Sequence, residues 1–256
     1  MNKRFLLVFL ILSWKGLAAE QEQQKEPLTI AAIDWCPQLC PKETKSGYVL
    51  DLVHAIFADS PYEIKVRYYP WSRAIQLTRY GAVHALLSPA KAEAPDLKYP
   101  HEEIGVQRMC FFTKYDSNWQ YTGVDSLKGL QVGVASDTSL EELNDYMQSH
   151  PQQFQFQPYI DRYLKQSIGK LERKRIDTFL FTYATTIHEL RKLKAEHRYK
   201  AAGCVNTTNI YMAFTAANVD ENISAMMRFF DSKMRDMHKS GKVESILGSY
   251  QLNTWR

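Results

Sequence analysis

The apolar positions of this chain change period several times, and each change predicts an element. LTIAAI (Leu28 to Ile33) is a short apolar run of the kind that forms a buried strand. VLDLVHAIF follows, with Val49, Leu52, Val53 and Ile56 at i, i+3, i+4 and i+7, the stripe of an amphipathic helix. EIKVRYY then alternates Ile64, Val66 and Tyr68, as a half-buried strand does. Pro70 opens a helix, WSRAIQLTRY, and Gly81 ends it before the strand VHALLS. A strand-helix-strand-helix-strand order predicts an α/β lobe.

The same cadence restarts beyond a polar, aromatic-rich bridge, KYDSNWQYTGVDSLKG. LQVGVA (Leu130 to Ala135) reads as a strand and SDTSLEELNDYM as a helix with a Ser/Thr-rich start; FQFQ, YLKQSIGKLERKR and IDTFLF repeat the alternation. RYGAVHALLSPA and RKRIDTFLFTYA are alike, each ending a helix on polar residues and entering a short apolar strand. NIYMAFT (Asn209 to Thr215) is a further strand, and helical sequence runs from about Asp220 to the end. No Pro/Gly/Ser-rich linker separates the halves. Two similar, closely connected lobes are expected, with the last helices packing back on the first.

The N-terminus changes the compartment. Lys3 and Arg4 precede an apolar run from Phe5 to Leu12, then small residues Gly16, Ala18 and Ala19, the layout of a secretory signal peptide over residues 1–19. An uncleaved anchor is the competing reading, but a spanning helix needs about 20 apolar residues. Residues 20–27 (EQEQQKEP) are polar and expected to be a disordered lead-in. Without the signal the chain has 29 basic against 28 acidic residues, a charge of +1. Nucleic-acid binding thereby loses its electrostatic motive. Export also favours disulfides among Cys36, Cys40, Cys110 and Cys204. Of three pairings, the simplest joins Cys36 to Cys40 and Cys110 to Cys204. A metal site competes, with only sulfur ligands and no nearby histidine pair.

Four short motifs in order resemble the family 3 extracellular solute-binding proteins, the type II periplasmic binding proteins, over about residues 28–250. GYVLDLVHAIF is similar to the family's Gly-aromatic-x-x-Asp-Leu helix start, and YYPWSRAIQLTRYGAVHALL to its helix-to-strand segment before the hinge. SLKGLQVGVASDTSLEEL resembles the opening of its second lobe, and RKRIDTFLFT its Gly-Arg-x-Asp strand. The resemblance implies a two-lobed α/β clamshell: lobe 1 over 28–110, lobe 2 over 111–205, and a return to lobe 1 with the C-terminal helices over 206–256. Two hinge strands would be MCFFTKY near Cys110 and NIYMAFT after Cys204, and a Cys110–Cys204 bridge would tie the hinge approaches together. The implied protein is periplasmic and monomeric. It binds a small molecule without a cofactor and serves an ABC-type permease or a membrane sensor.

Family members that bind amino acids hold the ligand carboxylate with a lobe-one arginine and its ammonium with a lobe-two aspartate. The matching segment here, LLSPAKAEAPDLKYP, has no arginine, and the aspartate's position is occupied by Thr182. An ordinary amino acid is therefore not the expected ligand. The candidate contacts are Asp34 and Trp35 after the first strand, and Trp71 and Arg73 at the PWSR helix. Ser88 and Lys91 lie at a strand's C-terminal end, where open α/β sheets bind ligands. Ser136, Thr138 and Ser139 precede a helix whose free N–H groups suit an anion, and Tyr48 closes one wall. Each has a plainer alternative: core packing for Trp71 and Tyr48, an ion pair for Arg73, N-capping for the hydroxyls. The set points to a flat or ring-bearing ligand with one acidic group. A dehydratase of the cyclohexadienyl type, on the same fold, is the alternative, although no catalytic motif stands out among the scattered histidines.

Overall fold

In the computed structural model, which describes residues 25–255 except 137–142, 161 and 218–220, the apolar runs assemble into two sheets. The signal segment and the candidate residues Thr138 and Ser139 lie outside the described residues. The first sheet has β1 (Glu26–Ala32) at its centre, parallel to β2 (Tyr62–Tyr68) on one side and β3 (Ala85–Leu87) on the other. β2 is an edge strand, so Ile64 and Val66 turn inward while Glu63, Lys65 and Arg67 face water. α1 (Tyr48–Phe57) and α2 (Trp71–Arg79) make the crossovers, burying Leu52, Val53 and Ile56 from one and Ala74 and Ile75 from the other. Glu26 and Pro27, expected in a disordered lead-in, begin β1; the Glu26 N–H donates to Pro61 O at 2.8 Å.

The second sheet runs in the order β6, β5, β7, β4, β8: Phe154–Gln157, Val132–Ala135, Thr178–Thr182, Gly105–Lys114 and Tyr199–Ile210. β5 is parallel to β6 and β7, whereas β4 pairs antiparallel with both β7 and β8. Around it pack α3 (Asn144–Ser149), α4 (Tyr163–Glu172) and α5 (Tyr183–Lys192). Phe112 and Phe179 stack at 5.4 Å within this core.

β4 and β8 lie wholly in the second sheet, so the chain passes from one sheet to the other before Gly105 and after Ile210. Between the sheets the two crossing segments run side by side. Ile104 N–H donates to Ile210 O at 2.8 Å, and Lys98 and Phe214 exchange backbone bonds of 2.8 and 2.7 Å. The Cys110–Cys204 disulfide joins paired residues of β4 and β8, inside lobe two and off the hinge. Apolar strand sequence reads alike on either side of a lobe boundary, which is why the residue pattern does not place it. β9 (Met212–Phe214) then pairs antiparallel with β3. α6 (Glu221–Lys239) buries Ile223, Met226, Phe230 and Met234, and α7 (Lys242–Ser249) buries Val243 and Leu247. Both return to lobe one: Phe229 meets Phe57 at 5.6 Å, and Tyr250 donates to Asp51 at 2.7 Å. Among the described residues no helix is long and apolar enough to cross a membrane.

Candidate functional site

The strands of both sheets bring their C-terminal ends to one place. Ile33 and Trp35 follow β1, Ser88 follows β3, Tyr159 follows β6, and Phe181 and Thr182 end β7. With Trp71, Glu93 and Gln107 these residues line a partly open cavity of about 30 Å³ between the lobes. That is the position in which open α/β sheets present ligand sites. Lobe one contributes two tryptophans. Lobe two contributes Tyr159 and Phe181, whose rings stack at 5.1 Å. Among the described lining residues Glu93 alone carries a formal charge.

The loop after β1 explains how Trp35 is held. Cys36 and Cys40 are disulfide-bonded, and Trp35 and Leu39 exchange backbone hydrogen bonds of 2.8 and 3.0 Å. The first N–H groups of a helix have no partner within it. Here the Tyr48 and Val49 N–H groups donate to Pro37 O and Gln38 O, both at 3.1 Å. The disulfide loop therefore caps α1. Gly47 makes the approach possible: its φ is 102°, and a Cβ there would come within 2.3 Å of Gln38 O. Trp35 is left only 5% exposed, packed against the cavity.

Polar groups meet the aromatic walls. Ser88 is 2% exposed, has φ 69°, donates its N–H to Tyr211 O at 2.8 Å, and keeps a hydroxyl with no partner among the described residues. An unpaired buried hydroxyl is costly, and at a cavity wall it is available to a ligand. Glu93 Oε2 accepts the Ala90 N–H at 2.8 Å, which fixes its carboxylate in place. The Gln107 amide and the Thr182 hydroxyl both donate to Met109 Sδ, at 3.0 and 3.5 Å. A thioether is a weak acceptor that a ligand oxygen would displace.

Direct contacts close the mouth. The Tyr159 hydroxyl donates to the Asp34 carbonyl at 2.6 Å, and Thr185 Oγ1 lies 3.5 Å from Gln38 Oε1. His188 Nε2 and Lys192 Nζ each lie 3.0 Å from Glu43 Oε1. Burial raises the Glu43 pKa, but the hydrogen bonds and charges of His188 and Lys192 outweigh it and hold the carboxyl below its ordinary value. Outside this latch lie two wider hollows, about 450 Å³ beside Glu43, Arg162 and Lys165 and about 260 Å³ beside Tyr68 and Tyr69. Tyr159 borders all three spaces.

No family model matches the chain, and no curated protein matches it in sequence. Solved structures do match. A histidine kinase sensor domain with similarity to periplasmic binding proteins superposes with a TM-score of 0.72 at 16% identity, over 90% of this chain and 99% of that one. A structure from work on glutathione import via GshT and the cystine ABC importer TcyBC of Streptococcus mutans gives 0.72 at 14%, over 90% and 97%. A histidine-bound substrate-binding protein of an ABC uptake transporter from Streptococcus pneumoniae gives 0.69 at 13%, over 88% and 92%. The chain has the type II periplasmic-binding-protein fold.

On this periplasmic-binding-protein fold the residues singled out from sequence separate into groups. Trp35, Trp71, Ser88 and Thr182 line the cavity. Asp34 stands at its mouth, 3.1 Å from Lys42. Arg73 is exposed near the outer hollow, over the Tyr69 ring at 5.5 Å. Lys91 is outside the lining, its ammonium 4.7 Å from the Tyr211 ring centre. Tyr48 packs edge-on to Tyr250 at 6.3 Å, beside a separate hollow of about 370 Å³, and burial pushes its hydroxyl pKa well above the ordinary value. Ser136 donates its N–H to Gln157 O at 2.9 Å, next to the undescribed segment. Ile33, Glu93, Gln107, Tyr159 and Phe181 were not expected from sequence. The rule that ligands meet strand C-termini, applied to FQFQ and TFLFT, would have reached Tyr159 and Phe181.

Proposed function

We propose that the chain is an exported, monomeric solute-binding protein that closes two lobes over one small polar or aromatic-bearing molecule. It delivers that molecule to an ABC-type permease or reports it to a membrane sensor. One observation carries the reading: a cavity whose walls come from both lobes and which holds a buried hydroxyl without a partner among the described residues. A ligand touching both walls favours the closed state by the difference between its affinities for the two states. The similar structures support this role, since they include substrate-binding proteins of ABC transporters and a sensor domain. Among the described lining residues there is no arginine to hold an amino acid's carboxylate, which supports a ligand outside the standard amino acids.

Thermal unfolding against a metabolite panel, with recovery of each stabilising compound, tests the proposal. A true ligand at 100-fold excess over its dissociation constant adds about 2.7 kcal/mol, a rise of roughly 5–10 °C for a chain of this size. It is recovered unchanged. Conversion of a stabilising compound into a product would replace the binder by an enzyme on the same fold.

A further inference from the structure

We infer that the hollow of about 370 Å³ beside Tyr48 is a second small-molecule site, distinct from the cavity between the strand ends, and that it takes an amphiphilic carboxylate: an aromatic or short aliphatic body with one acidic group. Its volume is that of an ordinary small-molecule site, about 300–1,000 Å³. β4 divides the two spaces. Successive residues of a strand face opposite sides, so Gln107 lines the first cavity while Val106 and Arg108 line the hollow. Lobe two also supplies Tyr183, and Thr182 borders both spaces. The other wall is Leu247 on α7 with Leu252 and Trp255 beyond it. That tail is tied down where the chain crosses between the sheets, because the Trp255 indole N–H donates to Glu103 at 2.9 Å.

The lining names the ligand class. Val106, Leu247, Leu252 and the Trp255 ring give apolar walls, and Arg108 is the one charged residue among the described lining residues. Its guanidinium lies over the Tyr183 ring, 4.4 Å from the centre, and Tyr183 in turn stacks on Phe112 at 6.3 Å. Stacking engages the flat face of a guanidinium and leaves its N–H edge, a fork that fits a carboxylate. Among the described residues no carboxylate pairs with Arg108. Arg108 and Thr207 are partners across β4 and β8, which puts the Thr207 hydroxyl on the same face as the guanidinium. A cation would be repelled there, and a neutral molecule would forgo the charged contact. A molecule touching both walls favours the arrangement in which the lobes meet.

The test is calorimetric titration of the intact exported protein with phenylacetate, neutral phenylacetamide and the cation phenethylammonium. Saturable binding of phenylacetate is expected, with the other two about tenfold weaker or worse. Arg108→Gln should weaken phenylacetate by about tenfold without changing the far-ultraviolet circular dichroism spectrum, since the side chain is exposed. Nuclear Overhauser contacts from the bound ring should reach Leu252 and Val106, one on each wall. Equal or tighter binding of phenylacetamide or phenethylammonium, or full affinity in a folded Arg108→Gln variant, overturns the carboxylate class. Contacts to Trp35 and Phe181 instead would put the compound in the first cavity and overturn the second site. Failure of phenylacetate to bind at millimolar concentration overturns it as well. The wild-type comparison and the contacts decide the matter even if the variant misfolds, and each of these results leaves the solute-binding reading standing.

Discussion

Ser88 and Glu93 show how single residues define this site. Ser88 has an unusual positive φ, is almost fully buried, and keeps a hydroxyl that no described residue satisfies. Replacing it by alanine removes no bond to a described residue. Ser88→Ala should therefore leave the unliganded melting temperature within about 2–4 °C of wild type and weaken ligand binding by about 0.5–1.5 kcal/mol. A loss of several kcal/mol in urea unfolding, with binding unaltered, would mean the hydroxyl serves the fold. In the sequence Ser88 stands out by its place after a strand and Lys91 by its charge, while in the structure Ser88 and Glu93 line the cavity. Lys91–Glu93 form one turn of 3-10 helix, with about three residues per turn, so residues two apart point in different directions. Lys91 meets Tyr211 and Glu93 meets the cavity. Linear spacing does not reveal which one turns inward.

At the scale of elements, the loop from Trp35 to Gly47 is both a helix cap and a clamp on one wall of the cavity. Its disulfide closes a short loop, for which the chain-entropy model gives about 2 kcal/mol. The Cys110–Cys204 bridge, with a separation of 94 residues, closes a far longer one, worth about 4–5 kcal/mol in the same model. Cys36→Ser with Cys40→Ser should thus cost less stability in urea unfolding than Cys110→Ser with Cys204→Ser, yet weaken ligand binding more. The reverse order in binding would remove the loop's part in the site. Much of the element order was legible: the alternating Ile64 and Val66, the stripe of α1, and Pro70 opening α2 each give a period that burial enforces. α5 was not, because it follows β7 with no intervening turn and its buried residues are Thr185, Thr186 and Leu190, too polar to mark a stripe. The start of β8 was hidden for a related reason. It is an edge strand, and YKAAGC carries little apolar alternation.

For the whole molecule, the lobes are held together by Tyr159 on Asp34 and by Glu43 between His188 and Lys192. The folded pKa of Glu43 lies below its ordinary value. Its contribution to closure is therefore present above the ordinary carboxylate range, about pH 4, and is lost as pH falls through the lowered value. Small-angle scattering should find the unliganded radius of gyration growing in acid, with Glu43→Gln already expanded at pH 7. Identical profiles for the two proteins would remove Glu43 from the latch. The two-lobed plan itself was visible in the repeated strand-helix cadence. The cavity between the lobes was not, because its walls are joined by contacts more than a hundred residues apart, as in the pairing of Tyr159 with Asp34.

A ligand that touches both lobes at once couples their two walls, and a double-mutant cycle measures that coupling. Trp71→Leu alters the lobe-one wall, Phe181→Leu the lobe-two wall, and the affinity of the most stabilising compound is measured for wild type, both singles and the double. Each single variant should weaken binding, and the two effects should fail to add by about 0.5–3 kcal/mol, because both residues act on the same bound molecule. Full affinity in either single variant, or strict additivity between them, would contradict a ligand enclosed between the lobes.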